Sequence, residues 1–357
     1  MQVKKIQVDA NREIAIYDDV FDAKEVIAYY EYAQNSAYRL CRTSTSIIED
    51  RALATLKCDL SLTDMLKLGF HTSKNFKPFI QIAKEKNVRL QRAYINLCST
   101  DDLFPYHVDS PNEKDLTMLY YMNTEWYPMW EGETHFANEK MNDLIASSSF
   151  IPGRLAVFNP TIPHKSSQPS KLARQFRFTF ANKFVCNEDA GWKYAFRFED
   201  YAIPTDDELT FSERELKAIE FLKPLACPLN HSQSDGFHHL YNTYKLMKSY
   251  GLDESLCLAG LFHCIYGTGS YNEAVELNVS RESVREIIGT EAEELVWQYK
   301  ICFPREQSLV HGRTTMTNEL RLKLLWISYA NAIEQAYRIE KFATEVLETR
   351  AVIDMLI

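Results

Sequence analysis

Arg177-Phe178-Thr179-Phe180-Ala181-Asn182-Lys183-Phe184 reads as a β-strand: the run is rich in aromatic and β-branched side chains and holds neither proline nor glycine. Working outward, Arg154-Leu155-Ala156-Val157-Phe158, Thr117-Met118-Leu119-Tyr120-Tyr121-Met122 and Arg92-Ala93-Tyr94-Ile95-Asn96-Leu97 share that texture. Polar turns separate them, the pattern of antiparallel strands. Helical spacing comes earlier, over residues 22–32, and Thr63-Asp64-Met65-Leu66 offers a cap and a second helix start. Helices leading into a run of strands predict an α+β domain with a jelly-roll-like barrel.

The chain has 357 residues, more than one compact core usually takes, so two domains are expected. The texture changes at the polar stretch Pro204-Thr205-Asp206-Asp207-Glu208, which predicts domains at 1–204 and 205–357. Beyond it Ser212-Glu213-Arg214-Glu215 matches a capping box. Residues 236–250, 255–262, 280–288, 292–300 and 317–346 carry few helix breakers, so the second domain is expected to be all-α.

Hydrophobic residues make up 46% and charged residues 25%, values ordinary for a globular protein. A net charge of -9 without any basic run argues against nucleic acid as partner. The first ten residues lack the apolar core of a signal peptide, and no segment is long and apolar enough to span a bilayer, so a cytoplasmic protein without membrane association is expected. The eight cysteines are scattered, with no C-x-x-C pair, and read as reduced thiols.

Chemistry enters with His107-Val108-Asp109 and, beyond the next strand-like runs, His164. Two imidazoles and one carboxylate can occupy one face of an octahedral Fe(II) and leave the other for a chelating co-substrate and O2. An isolated H-x-D is common, but here an ordered set surrounds it. His107-Val108-Asp109 is followed by Thr117, Tyr120-Tyr121-Met122-Asn123 and Trp126, then by Trp130-Glu131-Gly132-Glu133-Thr134-His135-Phe136, and then by Pro152-Gly153-Arg154-Leu155-Ala156-Val157-Phe158. On these residues the region 92–184 resembles the catalytic core of the Fe(II)/2-oxoglutarate-dependent dioxygenases, most closely the prolyl-hydroxylase branch. The resemblance implies a double-stranded β-helix (cupin-like jelly roll) and His107, Asp109 and His164 as iron ligands. It also implies 2-oxoglutarate and O2 as co-substrates, with succinate and CO2 as products.

The far carboxylate of 2-oxoglutarate calls for a bidentate arginine. Arg177 is the better match to the family pattern and Arg174 the competitor; residues three apart on a strand face opposite ways. Tyr121 stands at the family position for a second contact, and Tyr94 and Asn96 are expected to line the pocket. His71 and His135 are out of register for ligands and are read as structural or substrate-facing. In related halogenases the ligand carboxylate is replaced by a small residue, so Asp109 implies hydroxylation or another oxygenase outcome. Glu131 stands where the family turn carries glycine. The aromatic stretch 123–142 is a candidate lid, and its aromatics fit packing equally well.

In the second half, His238-His239 and His263-Cys264 resemble the metal-binding helices of HD hydrolases, with Cys264 and Asn331 where that family has aspartates. Loss of both carboxylates implies a degenerate HD-like domain without hydrolytic activity. The alternative is a residual metal site drawn from His231, His238, His239, His263 and His311. The expected function is hydroxylation of an unactivated C–H in an amino acid, a peptidyl residue or a small metabolite. The helical domain is expected to shape the entrance, recognise substrate or form a homodimer. A bifunctional oxygenase with a second metal-dependent activity and a non-catalytic sensor are the alternatives.

Overall fold

Alternation along Arg177–Cys186 organises the N-terminal half. Phe178, Phe180 and Phe184 point into one apolar cluster, while Arg177, Thr179, Ala181 and Lys183 line a cavity on the other face. Because both faces are covered, the strand reads as a continuous buried run rather than as alternating polar and apolar residues.

The computed structural model describes residues 2–42, 54–70, 73–102, 104–186, 201–226, 230–231, 234–267, 279–339 and 341–357. The chain divides into two compact units, Met1–Phe198 and Glu199–Ile357.

In the first unit the strands are β1 (Gln2–Gln7), β2 (Glu13–Asp18), β3 (Arg39–Arg42), β4 (Ala54–Asp59), β5 (Val88–Cys98), β6 (Leu116–Tyr121), β7 (Thr134–Ala137), β8 (Leu144–Ser148), β9 (Leu155–Phe158), β10 (His164–Ser166) and β11 (Arg177–Cys186). They form an eight-stranded sheet in the order β1-β2-β9-β6-β11-β5-β4-β3 and a three-stranded sheet in the order β10-β7-β8, antiparallel throughout. Phe136 of the small sheet meets Phe158 of the large one edge to face at 5.0 Å. The opposite face of the large sheet carries α1 (Ala23–Gln34), α2 (Leu62–Leu68) and α3 (Lys77–Glu85). Phe21, Tyr29, Phe70, Phe76, Tyr120 and Phe180 form an interlocked aromatic core there, each ring contributing roughly 2–3 kcal/mol by burial.

Strands precede the helices here, contrary to the expected helices-first order. The sequence conceals β1 because QVKKIQ is an edge strand with both faces largely exposed, so no apolar alternation marks it. The cap of α2 is Ser61, two residues before the expected Thr63: its hydroxyl accepts from the Asp64 N–H, and the Asp64 carboxylate accepts from the Ser61 N–H. Asp22 caps α1 in the same reciprocal way with Glu25.

The second unit holds α4 (Glu213–Ala226), α5 (Gly236–Ser249), α6 (Glu254–Leu261), α7 (Arg281–Ile288), α8 (Thr290–Ile301), α9 (Asn318–Ala336) and α10 (Lys341–Leu356). Ser212 and Glu215 exchange the expected capping-box bonds. Two corrections apply. The unit is not purely α, since Asn230–His231 and Ser234–Asp235 pair as a minimal antiparallel hairpin before α5. The stretch 317–346 is two helices rather than one: the chain turns after Ala336, with the N–H groups of Arg338 and Ile339 both donating to Gln335 O, and α10 folds back along α9. No local breaker marks that turn; burial of the apolar face of α10 decides it. Among the described residues no helix is long and apolar enough to cross a membrane.

Candidate metal centre and co-substrate pocket

His107 and Asp109 lie on an irregular segment, yet their position is set by the backbone. His107 and His164 form an isolated antiparallel bridge, exchanging N–H···O bonds of 3.0 and 2.9 Å, and the Asp109 N–H donates to Pro160 O at 2.9 Å. The side chains converge: ligand atoms of His107, Asp109 and His164 all lie within 4.8 Å of one another. His164 Nε2 is 3.3 Å from Asp109 Oδ2, and His107 Nε2 is 3.7 Å from Asp109 Oδ1.

The imidazole tautomers follow from their partners. His107 Nδ1 faces Pro105 O at 3.2 Å and His164 Nδ1 faces Ile162 O at 2.9 Å. A carbonyl can only accept, so both Nδ1 atoms donate and, in the neutral rings, both Nε2 lone pairs point towards Asp109. Burial, followed by the neighbouring His164, pushes the His107 imidazole down to about 4, which keeps it in the neutral, ligating form. Two hydrogen-bond donors hold the carboxylate: Thr117 Oγ1 donates to Asp109 Oδ2 at 2.8 Å, and Lys183 Nζ pairs with the same oxygen. Burial disfavours the charged Asp109, but Lys183 and the two imidazoles outweigh it and hold the carboxyl well below the usual range. Burial likewise disfavours the Lys183 ammonium, and Asp109 and Tyr94 more than compensate.

A cavity of about 320 Å³ joins this triad to Arg177, Thr179, Asn96 and Tyr94. Arg177 is 2% exposed. Its Nε donates to Gly132 O at 2.7 Å, Nη2 lies 3.4 Å from Thr134 Oγ1, and the guanidinium sits over the Phe150 ring at 4.9 Å. Among the described residues no carboxylate pairs with it. Burial depresses its pKa, with Cys98, Tyr121 and Glu133 only partly offsetting the loss of solvent. Arg174 is exposed and lies before the strand begins.

The other sequence-selected residues divide. Asn96 lines the cavity with its side-chain amide 3.4 Å from Thr179 Oγ1, and Tyr94 lines it beside Lys183. Tyr121 stands behind Arg177, with its ring 5.6 Å from the guanidinium, and its hydroxyl donates to Thr134 Oγ1 at 2.8 Å rather than opening on the cavity. His135 pairs with Ser147 Oγ at 3.2 Å, outside the triad, and His71 lies outside the described residues. The lid reading of 123–142 does not hold. Trp126 and Trp130 are buried in the core between the sheets, and Thr134–Ala137 is a paired strand. Glu131 adopts φ 56° and ψ -143°, a conformation suited to glycine, while Trp126 Nε1 donates to its carbonyl at 2.8 Å. Gly132 is constrained in turn: at φ +85°, a Cβ there would stand 3.2 Å from Arg177 Cδ.

Lys183 is the residue that sequence reasoning passed over, having used it only to match a strand pattern. The signal was present, because period-two alternation from Arg177 puts a lysine at position 183 on the same face.

Of the histidines considered for the helical unit, His239 and His263 alone meet among the described residues, with Nε2 atoms 3.3 Å apart, and Cys264 joins them with all ligand atoms within 4.8 Å. His238 is exposed on Asp235, His311 is exposed on Glu306, and the His231 side chain lies outside the described residues. Asn331 accepts from Gln335 at 3.0 Å. Glu334, one turn beyond Asn331 along α9, was not singled out in the sequence, and its Oε2 lies 2.5 Å from His239 Nδ1.

Comparison with known proteins adds the following. No curated protein sequence matches the chain. Residues 223–305 match the family described as "Domain of unknown function (DUF6817)". Similar solved structures include an oxidoreductase of the 2OG-Fe(II) oxygenase family from Burkholderia pseudomallei, 11% identical with a TM-score of 0.37, covering 48% of this chain and 84% of that one. EctD from S. alaskensis, with 2-oxoglutarate and 5-hydroxyectoine, is 13% identical with a TM-score of 0.37 over 49% of this chain and 73% of its own. HygX from Streptomyces hygroscopicus, with nickel and 2-oxoglutarate bound, is 10% identical with a TM-score of 0.33 over 50% and 84%. At such scores these neighbours decide nothing about chemistry, which rests on the donor set and the cavity.

Proposed function

We propose that the N-terminal unit is an Fe(II)- and 2-oxoglutarate-dependent oxygenase built on a double-stranded β-helix. The observation that carries this reading is Arg177: a buried guanidinium without a carboxylate partner among the described residues, in the same cavity as a His-Asp-His donor set. A buried cation is costly until an anion joins it. A co-substrate with one end for the metal and a carboxylate at the other meets both demands.

The residues present fit the ion: two imidazoles that donate through Nδ1 and turn Nε2 towards one ionised carboxylate suit ferrous iron. His107, Asp109 and His164 would hold it, Arg177 would take the far carboxylate, and Asn96, Thr179 and Tyr94 would line the co-substrate. When bound, iron with 2-oxoglutarate and O2 supplies an oxidant capable of attacking an unactivated C–H bond, with release of succinate and CO2. The chain's own contribution is positional. The bridge between His107 and His164 fixes the two imidazoles, Thr117 aims the carboxylate, Lys183 balances its charge until the ion binds, and the buried walls around Arg177 exclude water.

Asp109 supports hydroxylation over halogenation, and the substrate class is an amino acid, a peptidyl residue or a small metabolite. The test is succinate release from the full chain with Fe(II) and 2-oxoglutarate, screened against metabolites and peptides and absent in Asp109→Ala. Protein purified without oxygen that neither carries nor takes up iron would overturn the reading. For the helical unit we propose an HD-like arrangement, supported by His239 and His263 meeting from separate segments.

A further inference from the structure

The cavity beside the metal triad extends past the co-substrate residues to β4, where Thr55 and Lys57 line it. Residues directly opposite one another on neighbouring strands share a face of the sheet. Lys57 stands opposite Asn96 on β5, and Asn96 stands opposite Thr179 on β11, so the three lie in one row that faces the cavity. Thr55 comes two residues earlier on β4 and shares that face by period-two alternation.

Charge is out of balance at this end. Arg92 pairs with Asp59 at 2.8 Å and Lys183 pairs with Asp109, whereas no carboxylate pairs with Lys57 among the described residues. Lys57 Nζ rests 4.9 Å from the centre of the Tyr94 ring, which the Arg92 guanidinium approaches to 4.7 Å and Lys183 Nζ to 6.0 Å. An aromatic face offsets only part of the hydration that a half-buried ammonium gives up. Burial, followed by the neighbouring Arg92, pushes the Lys57 ammonium below its ordinary value. Thr55 adds a second unmet demand: it is 1% exposed, and its hydroxyl has no hydrogen-bond partner among the described residues. An anionic oxygen ligand meets both demands, because it accepts from an ammonium and from a hydroxyl at once.

We propose that Lys57 and Thr55 form the substrate subsite of this cavity, and that the substrate is a small acid whose carboxylate or phosphate group they hold. This subsite presupposes the oxygenase activity proposed above and narrows its substrate: a free acid brings the anion, whereas a residue inside a peptide has a neutral backbone. The co-substrate site is separate. Strand β5 lies between β4, which carries Lys57, and β11, which carries Arg177. The two cationic heads also have different neighbours, Gly132 O and Phe150 for Arg177 and the Tyr94 ring for Lys57, so one carboxylate does not serve both.

The test reads Lys57 directly in the wild-type chain. The full chain, loaded without oxygen with Fe(II) and 2-oxoglutarate, is acetylated in limiting reagent, and Lys57 is followed by peptide mass spectrometry against the exposed Lys217. Propionate, methyl phosphate and the neutral propionamide are the probes, at matched ionic strength. At least one of the two anions should slow acetylation of Lys57 about tenfold at saturation while propionamide leaves it unchanged, and the more protective anion identifies carboxylate or phosphate as the group held. Thr55→Val, which keeps the side-chain shape, should weaken that protection about fivefold with the melting temperature unchanged or raised, because the hydroxyl it removes has no partner. Undiminished protection in Thr55→Val overturns the role given to Thr55. Lys57→Met should bind 2-oxoglutarate within about twofold of wild type; a loss as large as that in Arg177→Met places Lys57 in the co-substrate site and overturns the proposal. Normal binding of 2-oxoglutarate with Lys57 acetylated equally under all three probes overturns this substrate class alone, whereas a chain that binds no 2-oxoglutarate overturns the oxygenase reading with it.

Discussion

Arg177→Met is expected to move binding and stability in opposite directions. In the ligand-free protein the guanidinium is 2% exposed, donates to Gly132 O and meets no carboxylate among the described residues. Replacing it with an apolar side chain of similar length sacrifices that hydrogen bond, worth about 1–2 kcal/mol, but removes a buried charge whose desolvation costs several. The melting temperature of the ligand-free variant should therefore hold or rise. Binding of 2-oxoglutarate should suffer, since removing one partner of a buried, hydrogen-bonded charge pair costs about 2–5 kcal/mol. Three kcal/mol corresponds to roughly 150-fold in Kd. Anaerobic calorimetry with Fe(II) measures the affinity. Thermal melts with excess 2-oxoglutarate give a second reading: at 100 times Kd the wild type gains about 2.7 kcal/mol, and the variant should gain almost nothing at the same concentration. Arg174→Ala, an exposed change, should stay within twofold. If Arg177→Met binds 2-oxoglutarate as tightly as wild type, or if Arg174→Ala loses as much, the pocket has been read wrongly.

Three further outcomes follow from the site. Lys183→Met should tighten metal binding about tenfold while lowering the melting temperature of the metal-free chain, because Lys183 competes with the ion for Asp109 and, in its absence, is the ammonium paired with that buried carboxylate; weaker metal binding in this variant would show instead that Lys183 positions the ligand. His107, pushed down by burial and by His164 from 6.5 to about 4, binds its proton more tightly in the unfolded chain. Its contribution to metal-free stability is therefore complete above about pH 6.5 and lost as pH falls towards 4. Histidine-resolved NMR titration should show its ring neutral at pH 5.5, and a midpoint near 6.5 would contradict this. Glu131→Gly should stabilise the fold by about 1 kcal/mol in denaturant melts, since relief of a non-glycine residue at φ 56° exceeds the entropy glycine adds to the unfolded chain; destabilisation would mean that the Glu131 side chain holds the turn.

Much of this was legible because local rules and tertiary demands agree. The strands from 92, 117, 154 and 177 announce themselves by aromatic and β-branched content, and the helix starts at Asp22 and Ser212 by their capping boxes. Where the two diverge, the sequence misleads. The edge strand β1 has no apolar face to advertise, and the turn between α9 and α10 has no breaker. Trp126 and Trp130 read as a lid by composition and are core by position. The site divides in the same way. His107, Asp109, His164 and Arg177 stand in a recognisable order, whereas Lys183 and Glu334 count only through what they touch.

By itself the sequence determined the residue types available for chemistry, the order in which they arrive and the faces they occupy along each strand, because period-two alternation is a local property of the backbone. Only the tertiary structure decided which of those residues share a cavity. The pairing of His107 with His164 across 57 positions (164 - 107), the burial of Arg177 with no carboxylate partner among the described residues, and the meeting of His239 with His263 each depend on segments brought together by packing. Charge and lone-pair geometry act over a few ångströms of space and are blind to sequence separation.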